Sequence, residues 1–355
     1  MKVGIAGAGA IAFGYAALLT NNSHQVSLWS PSGRWQGEAR KITGAIEGDF
    51  RFAACADAKE LAANEVIVLA LPANGHRPVF DALLPHLAAH HTIIISGHLS
   101  FAALYLAKKL AERGLQLPIA VWNTTVLTSK AQSESEIKIG ALRGKVDMAT
   151  LPASDAPRTH EVCTALFGDR FVLRDDLLTI TLSNLNPQSH LGIALCNLTR
   201  IERGETWGQR THITPAVGRL LEALDTERLA VATALGKSVR TVFEHQQMSF
   251  GVSGGSVAEM AQILAAQGKD PNGPKDINTR YVLEDTPFGL VPTVYLARIA
   301  GVAVPLHESG ILILNACYGR DFASDNDLLP ELSITDTAVL KRLAADGYPI
   351  GSASA

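Results

Sequence analysis

An α/β domain built on a mostly parallel sheet, followed by an all-α domain, is the fold this sequence predicts. Three observations lead to it. Short apolar runs alternate with helical patterns through the first half of the chain. A glycine-rich turn stands at the end of the first apolar run. Beyond about residue 184, apolar residues recur only at three- and four-residue intervals, and no alternating strand pattern remains.

The elements come in order along the chain. Residues 3–6 read as a strand, 10–19 as a helix and 25–29 as a second strand. Residues 42–46 and 50–54 flank Glu47-Gly48-Asp49 and read as a hairpin. The continuous apolar run 66–71 has the composition of a strand buried on both faces. A helix over 79–89, a strand over 92–96, a helix over 101–113 and a strand over 118–122 complete the alternation, which predicts βαβ units and a parallel sheet. Residues 136–142 and 145–151 flank Arg143-Gly144 and suggest a second hairpin closing the domain. Helices are expected over 191–201, 216–235, 257–266 and 292–301. The predicted boundary separates residues 1–184 from residues 185–355.

Composition narrows the function classes. The chain has 355 residues, 47% hydrophobic and 18% charged, with a net charge of -3. Such a chain can bury two cores, and it carries no basic run that would suit nucleic acid. No stretch reaches the roughly 18 apolar residues of a membrane span. Cys55, Cys163, Cys196 and Cys317 lie far apart, which argues against a disulfide framework or a zinc site and suits a reducing cytoplasm. No metal, membrane or nucleic-acid partner is expected.

Gly7-Ala8-Gly9-Ala10-Ile11-Ala12 follows the first strand and opens the first helix. Gly7 permits the tight turn. Gly9 lets a pyrophosphate approach the backbone, and Ala10 and Ile11 start the helix whose free amides and dipole favour an anion. Ala12 allows close packing on the sheet. A ligand-free turn is the plain alternative, but strand, turn and helix in this order predict a Rossmann-type dinucleotide-binding domain. The second strand ends in Trp29-Ser30-Pro31-Ser32-Gly33-Arg34, without the carboxylate that binds a ribose 2′-hydroxyl. Ser30, Ser32 and Arg34 suit a 2′-phosphate instead, so NADP is favoured, with NAD the alternative. Arg34 could equally be a solvated surface residue. Leu71 and Pro72 follow a buried strand, where such a sheet lines its cofactor; a structural turn explains Pro72 as well.

Two segments of the second half stand out. The first is Asn184-Leu185-Asn186-Pro187-Gln188-Ser189-His190, continuing through Leu195, Asn197 and Glu202; the second runs from Arg280 to Pro292. Pro187 suits a first helical turn with Asn186 as its N-cap, which puts His190 one turn in and Asn197 seven residues on, along the same face. A histidine there can shuttle protons, and Asp285 can hold its tautomer and stabilise the imidazolium. Arg280 suits a planar carboxylate. A satisfied structural histidine and a helix-end charge pair are the bland alternatives.

Together, and behind the N-terminal glycine turn, these segments resemble the octopine/nopaline (opine) dehydrogenase family. That family shows an Asn-Pro-x-x-His element with a downstream asparagine. It also shows an Arg-Tyr-…-Glu-Asp-…-Pro-(Tyr/Phe)-Gly-Leu-Val-Pro element, which Arg280 to Pro292 reproduces almost completely. The resemblance spans the chain in order and spacing, more loosely in the middle of the first domain. It implies that His190 is the general acid/base, Asp285 its partner, Arg280 the binder of a substrate carboxylate, and Asn197 a residue facing the substrate. It implies NAD(P)H-dependent condensation of an α-keto acid with an amino acid or amine, in a cleft between the domains. Two positions depart from the pattern. Leu191 replaces a proline common after the histidine, and Ser96-Gly97-His98 replaces a common Asn-Pro-Gly. Alternative readings are a ketopantoate reductase or β-hydroxyacid dehydrogenase, for which Lys237, Lys269 and Lys275 lie in no recognisable motif, and a non-catalytic NAD(P)-binding sensor. A homodimer through the helical domain is the assembly expected from fold analogy.

Overall fold

The computed structural model describes residues 1–97, 101–332, 334 and 336–351. It has two compact units. The first takes Met1–Thr181 with the described parts of 331–333 and 338–355; the second takes Leu182–Pro330 and the described parts of 334–337.

Two sheets form the first unit. The strands are β1 (Lys2–Ala6), β2 (Gln25–Trp29), β3 (Arg40–Gly44), β4 (Gly48–Phe50), β5 (Ala53–Cys55), β6 (Val66–Leu69), β7 (Thr92–Ile95), β8 (Ile119–Trp122), β9 (Leu127–Ala131), β10 (Glu136–Leu142), β11 (Val146–Leu151) and β12 (Phe171–Leu173). The large sheet runs β12-β11-β8-β7-β6-β1-β2-β5, and only its β8–β11 pair is antiparallel. The small sheet runs β4-β3-β10-β9. β6, β7 and β8 are buried at every residue, which is why they read as continuous apolar runs. The helix Ala10–Asn21 buries Phe13, Tyr15, Leu18 and Leu19, and Tyr15 meets Trp122 and Phe167 edge-on.

The structure departs from the sequence expectations in this unit. Residues 136–142 and 145–151 form no hairpin: β10 pairs with β3 and β9, whereas β11 pairs with β8 and β12. All six residues of β11 are buried, while β10 buries chiefly Ile137 and Ile139, so each joins a sheet that matches its pattern. The first hairpin lies about two residues early, as β3 with β4, and β5 leaves it to pair with β2. The helix expected over 79–89 is His76–Leu83 followed by a 3-10 turn, Leu84–His86, because Pro85 has no amide to continue the ladder.

The C-terminal segment also differs from expectation. The helix Thr337–Asp346 buries Leu340, Leu343 and Ala344, and the chain just beyond it packs within the first unit: Gly347 lies against Leu151 and Ala107. Its periodicity is helical, but periodicity does not say which core receives the apolar face.

The second unit is helical. Its main helices are Asn186–Glu202, Pro215–Ala234, Val242–Phe250, Val257–Ala266, Val291–Ala300 and Pro305–Tyr318. A short turn, Arg280–Leu283, and a π-helical turn, Thr286–Leu290, lead directly into Val291–Ala300. In this unit Arg228, 1% exposed, donates from Nε and Nη2 to Asp225 Oδ1 at 2.9 and 2.7 Å, and to the Leu182 and Arg240 carbonyls. No helix among the described residues is long and apolar enough to cross a membrane.

Candidate active site

The phosphate turn is built by local backbone. Gly7 has φ +129°, and a Cβ there would lie 2.4 Å from the Ala70 carbonyl oxygen, so no other residue fits. Its amide donates to the Trp29 carbonyl at 2.9 Å. Gly9 is the N-cap of helix Ala10–Asn21, and no side chain caps that end. A Cβ at Gly9 would meet nothing within 4 Å. The first-turn amides of Ala10 and Ile11 thus have no side-chain cap, and the positive end of the helix dipole lies at this turn. Ala12 is fully buried against the sheet. This arrangement fits a pyrophosphate.

Strand register brings the remaining nucleotide candidates alongside. Ala6 is paired with Trp29 on one side and Leu69 on the other. Gly7, Ser30 and the Leu71-Pro72 turn therefore leave three adjacent parallel strands at their carboxyl ends, the ligand edge of such a sheet. Ser30 is buried and its carbonyl accepts from the Gly33 amide at 2.9 Å, while Ser32 and Arg34 are exposed on the turn so closed. His98 lies outside the described residues.

In the second unit two segments 95 residues apart meet. His190 Nδ1 and Asp285 Oδ2 are 2.5 Å apart. The imidazole is 13% exposed and the carboxylate 1%. Packing between the segments makes this pair: a Cβ on Gly289 would lie 2.3 Å from Pro187 Cγ, so only glycine lets the π-helical turn close on the start of the His190 helix. The turn is held further by Asn326 Nδ2, which donates to the Pro287 carbonyl at 2.7 Å. Helix Asn186–Glu202 starts one residue earlier than expected. Asn186 is not its N-cap: Leu185 is, and the Asn184 side chain accepts from the Asn186 amide at 3.0 Å. Proline at the second helical position still suits the first turn, where its missing amide costs no bond.

Tyr281 stacks on His190 with ring centroids 3.5 Å apart and planes 10° apart, and its hydroxyl donates to Gln209 Oε1 at 2.6 Å. Burial, with the Asp285 charge beside it, pushes the Tyr281 phenol above its ordinary range, so it stays a donor. Arg280 is 65% exposed, and its Nε lies 3.1 Å from Glu284 Oε2. Asn197 is buried at a kink with non-helical backbone angles, and its amide nitrogen donates to the Ile193 carbonyl at 3.0 Å. That kink breaks the simple seven-residue spacing from His190. Leu191, where the resemblance leads one to expect a proline, is buried against Gly310.

Residues 173–318 match the alpha-helical domain of the NAD/NADP octopine/nopaline dehydrogenases. Residues 2–98 match the coenzyme F420-dependent NADP oxidoreductases. The opine dehydrogenase of Arthrobacter sp. (strain 1C) is 29% identical over 273 residues, 76% of each chain. The protein ocs of Agrobacterium tumefaciens (strain Ach5) is 27% identical over 350 residues, 94% of this chain and 95% of that one. An octopine dehydrogenase solved with NADH and L-arginine shares the fold with a TM-score of 0.78 at 15% identity, over 97% of this chain and 98% of that one. The chain is thus similar to opine dehydrogenases over most of its length, and its residues 173–318 to their helical domain.

Within that family frame, three residues at the site escape sequence reasoning. Gly289 and Tyr281 stand inside the recognised motif, but nothing in the motif says that one seats Pro187 and the other stacks on the histidine. Gln209 lies in a loop with no pattern of its own, and its signal is purely spatial.

Proposed function

We propose that this chain joins an α-keto acid to the amino group of an amino acid, or to another amine, and reduces the imine to an N-(carboxyalkyl)amino acid, with the reverse oxidation also accessible. Its likeness to opine dehydrogenases supports an NAD(P)-dependent oxidoreductase acting on CH–NH bonds. The observation that carries the acid–base part is the 2.5 Å contact of His190 Nδ1 with the buried Asp285 carboxylate. With Nδ1–H donating to Asp285, the neutral ring offers Nε2 as an acceptor, and protonated at Nε2 it becomes a donor.

Each residue then has its own step. The amine nitrogen adds to the keto carbon, and the C–N bond of a carbinolamine forms. His190 Nε2–H gives its proton to the departing hydroxyl, so that water leaves and the protonated imine, which keeps its N–H, remains. A nicotinamide, when bound, supplies the hydride that becomes the new C–H bond at the imine carbon. In the reverse direction His190 Nε2 takes the proton back from the water that adds to the protonated imine. Asp285 holds the ring orientation and tautomer throughout. Arg280 would take a substrate carboxylate through its terminal nitrogens while Nε stays on Glu284. Asn197, with one amide hydrogen engaged on the Ile193 carbonyl, would contribute its oxygen or its second amide hydrogen.

Gly7, Gly9, Ala10 and Ile11 would hold the pyrophosphate, with Leu71 and Pro72 along its flank. Ser30, Ser32 and Arg34 support NADP over NAD. Arg34→Ala should raise the KM for NADPH about tenfold and leave that for NADH unchanged; equal effects on both would remove the preference. The exposed Leu312 and Ile313 on one helix of the second unit support a homodimer, checked by sedimentation. The unpaired cysteines suit a cytoplasmic setting.

His190→Ala tests the assignment. Turnover should fall about 10²–10⁴-fold, the usual worth of general acid–base catalysis, with the cofactor dissociation constant unchanged. Lost cofactor binding with intact turnover chemistry would overturn it.

A further inference from the structure

Asp285 constrains His190 through one ring nitrogen only. A hydrogen bond to Nδ1 fixes the tautomer but leaves the imidazole able to tilt about that contact. A complementary constraint is a ring face. Tyr281 covers one face of the imidazole at a 3.5 Å centroid distance and 10° between planes. Side-chain torsions at such sp²-terminated bonds are broad, so a plane held this parallel needs a second support.

That support is anchored in turn. Tyr281 is half-buried, and its hydroxyl reaches Gln209 Oε1 at 2.6 Å. Gln209 sits on a loop that is pinned on both sides. Its own amide donates to the Pro271 carbonyl at 2.8 Å. Asp270 accepts from the Arg210 amide at 2.6 Å, the Thr211 amide at 3.3 Å and the Thr211 hydroxyl at 2.5 Å. Three hydrogen bonds on one carboxylate make this a rigid mount for the Gln209 side chain. Burial opposes the Asp270 charge, yet those bonds hold its carboxyl below the ordinary range. The phenol, raised above its usual range chiefly by burial, remains protonated and keeps donating.

We infer that Tyr281, with its hydroxyl moored on Gln209, is a positioning residue that holds the His190 ring plane for proton transfer. This inference rests on the proton-shuttle role proposed for His190. Neither Tyr281 nor Gln209 is asked to touch the reacting atoms. The aromatic face carries most of the effect and the hydroxyl mooring refines it.

The test compares Tyr281→Phe, Tyr281→Leu and Gln209→Ala in the full chain. Tyr281→Phe keeps the ring face and should retain kcat within about threefold. Tyr281→Leu removes it and should lower kcat about 10–100-fold, the scale of a small misplacement at a reacting centre, with the cofactor KM unchanged. Gln209→Ala should resemble Tyr281→Phe. The His190 ring, followed by carbon-13 NMR relaxation, should report a fixed ring in the native chain and in Tyr281→Phe, and a mobile ring with averaged signals in Tyr281→Leu. Thermal midpoints identify any variant that has simply unfolded, and the NMR signature of Tyr281→Phe then carries the decision. Native kcat together with an unaveraged ring signal in Tyr281→Leu would overturn the inference. If instead His190→Ala keeps full turnover, the shuttle role fails by itself, and the NMR comparison still decides whether Tyr281 holds the ring.

Discussion

Six consecutive residues, Gly7 to Ala12, make the turn proposed to hold the pyrophosphate, whereas the proposed acid–base pair needs residues 95 positions apart. The turn's geometry comes from backbone conformation at Gly7 and the uncapped start of one helix. The pair's geometry comes from packing: Gly289 on Pro187 and Tyr281 on His190. A locally encoded site should fail by losing its ligand. A tertiary site should fail by losing its alignment, with the ligand on the other unit still bound. The two failure modes can be separated by substitution.

The largest effect is expected at Asp285. Asp285→Asn keeps the shape but offers an amide where the ring needs an acceptor, so kcat should fall about 10²–10⁴-fold while cofactor titrations stay native. Equal losses in turnover and cofactor affinity would erase the distinction between the sites.

The next is a stability effect that sharpens the contrast from the other side. His76 is 1% exposed in the first unit, and burial lowers it to about 4, against a smaller opposing pull from the Leu71 backbone. Its value in the unfolded chain is about 6.5. The unfolded state therefore binds the extra proton first. Stability is complete above about pH 6.5 and is lost as pH falls toward and through about 4, by about 3 kcal/mol for this group. His76→Leu should flatten that part of the denaturation-against-pH curve. An unchanged slope would show that His76 is not its source.

Gly289→Ala should have the smallest effect on energy and the most specific one. Its Cβ would fall 2.3 Å from Pro187 Cγ, and one side must move. A loss of about 1–3 kcal/mol in stability is expected, with reduced kcat and native cofactor binding. A variant with native stability and native turnover would mean that the two segments are not locked at this contact.

The same contrast governs what the sequence makes legible. The turn is legible because its residues are contiguous and each has one backbone task. The strands β6, β7 and β8 are legible because burial on both faces leaves a continuous apolar run. The pairing of β10 and β11 is not, since Arg143-Gly144 looks the same whether it turns a hairpin or passes the chain from one sheet to another. Motif resemblance points to His190 and Asp285, but their spacing in the chain says nothing of a 2.5 Å contact. Tyr281 is visible as a letter of the motif, yet its stacking partner lies 91 positions earlier in the chain. The C-terminal helix shows the same limit, with an evident apolar face and no indication of the core that receives it.

Two-substrate condensation is tested most directly by NADPH and NADH oxidation by the purified protein with an amino acid pool and a small set of α-keto acids, each also supplied alone. Cofactor consumption is expected only when amine and keto acid are both present. Consumption at the same rate with a keto acid alone would contradict it and make the chain a simple ketoreductase.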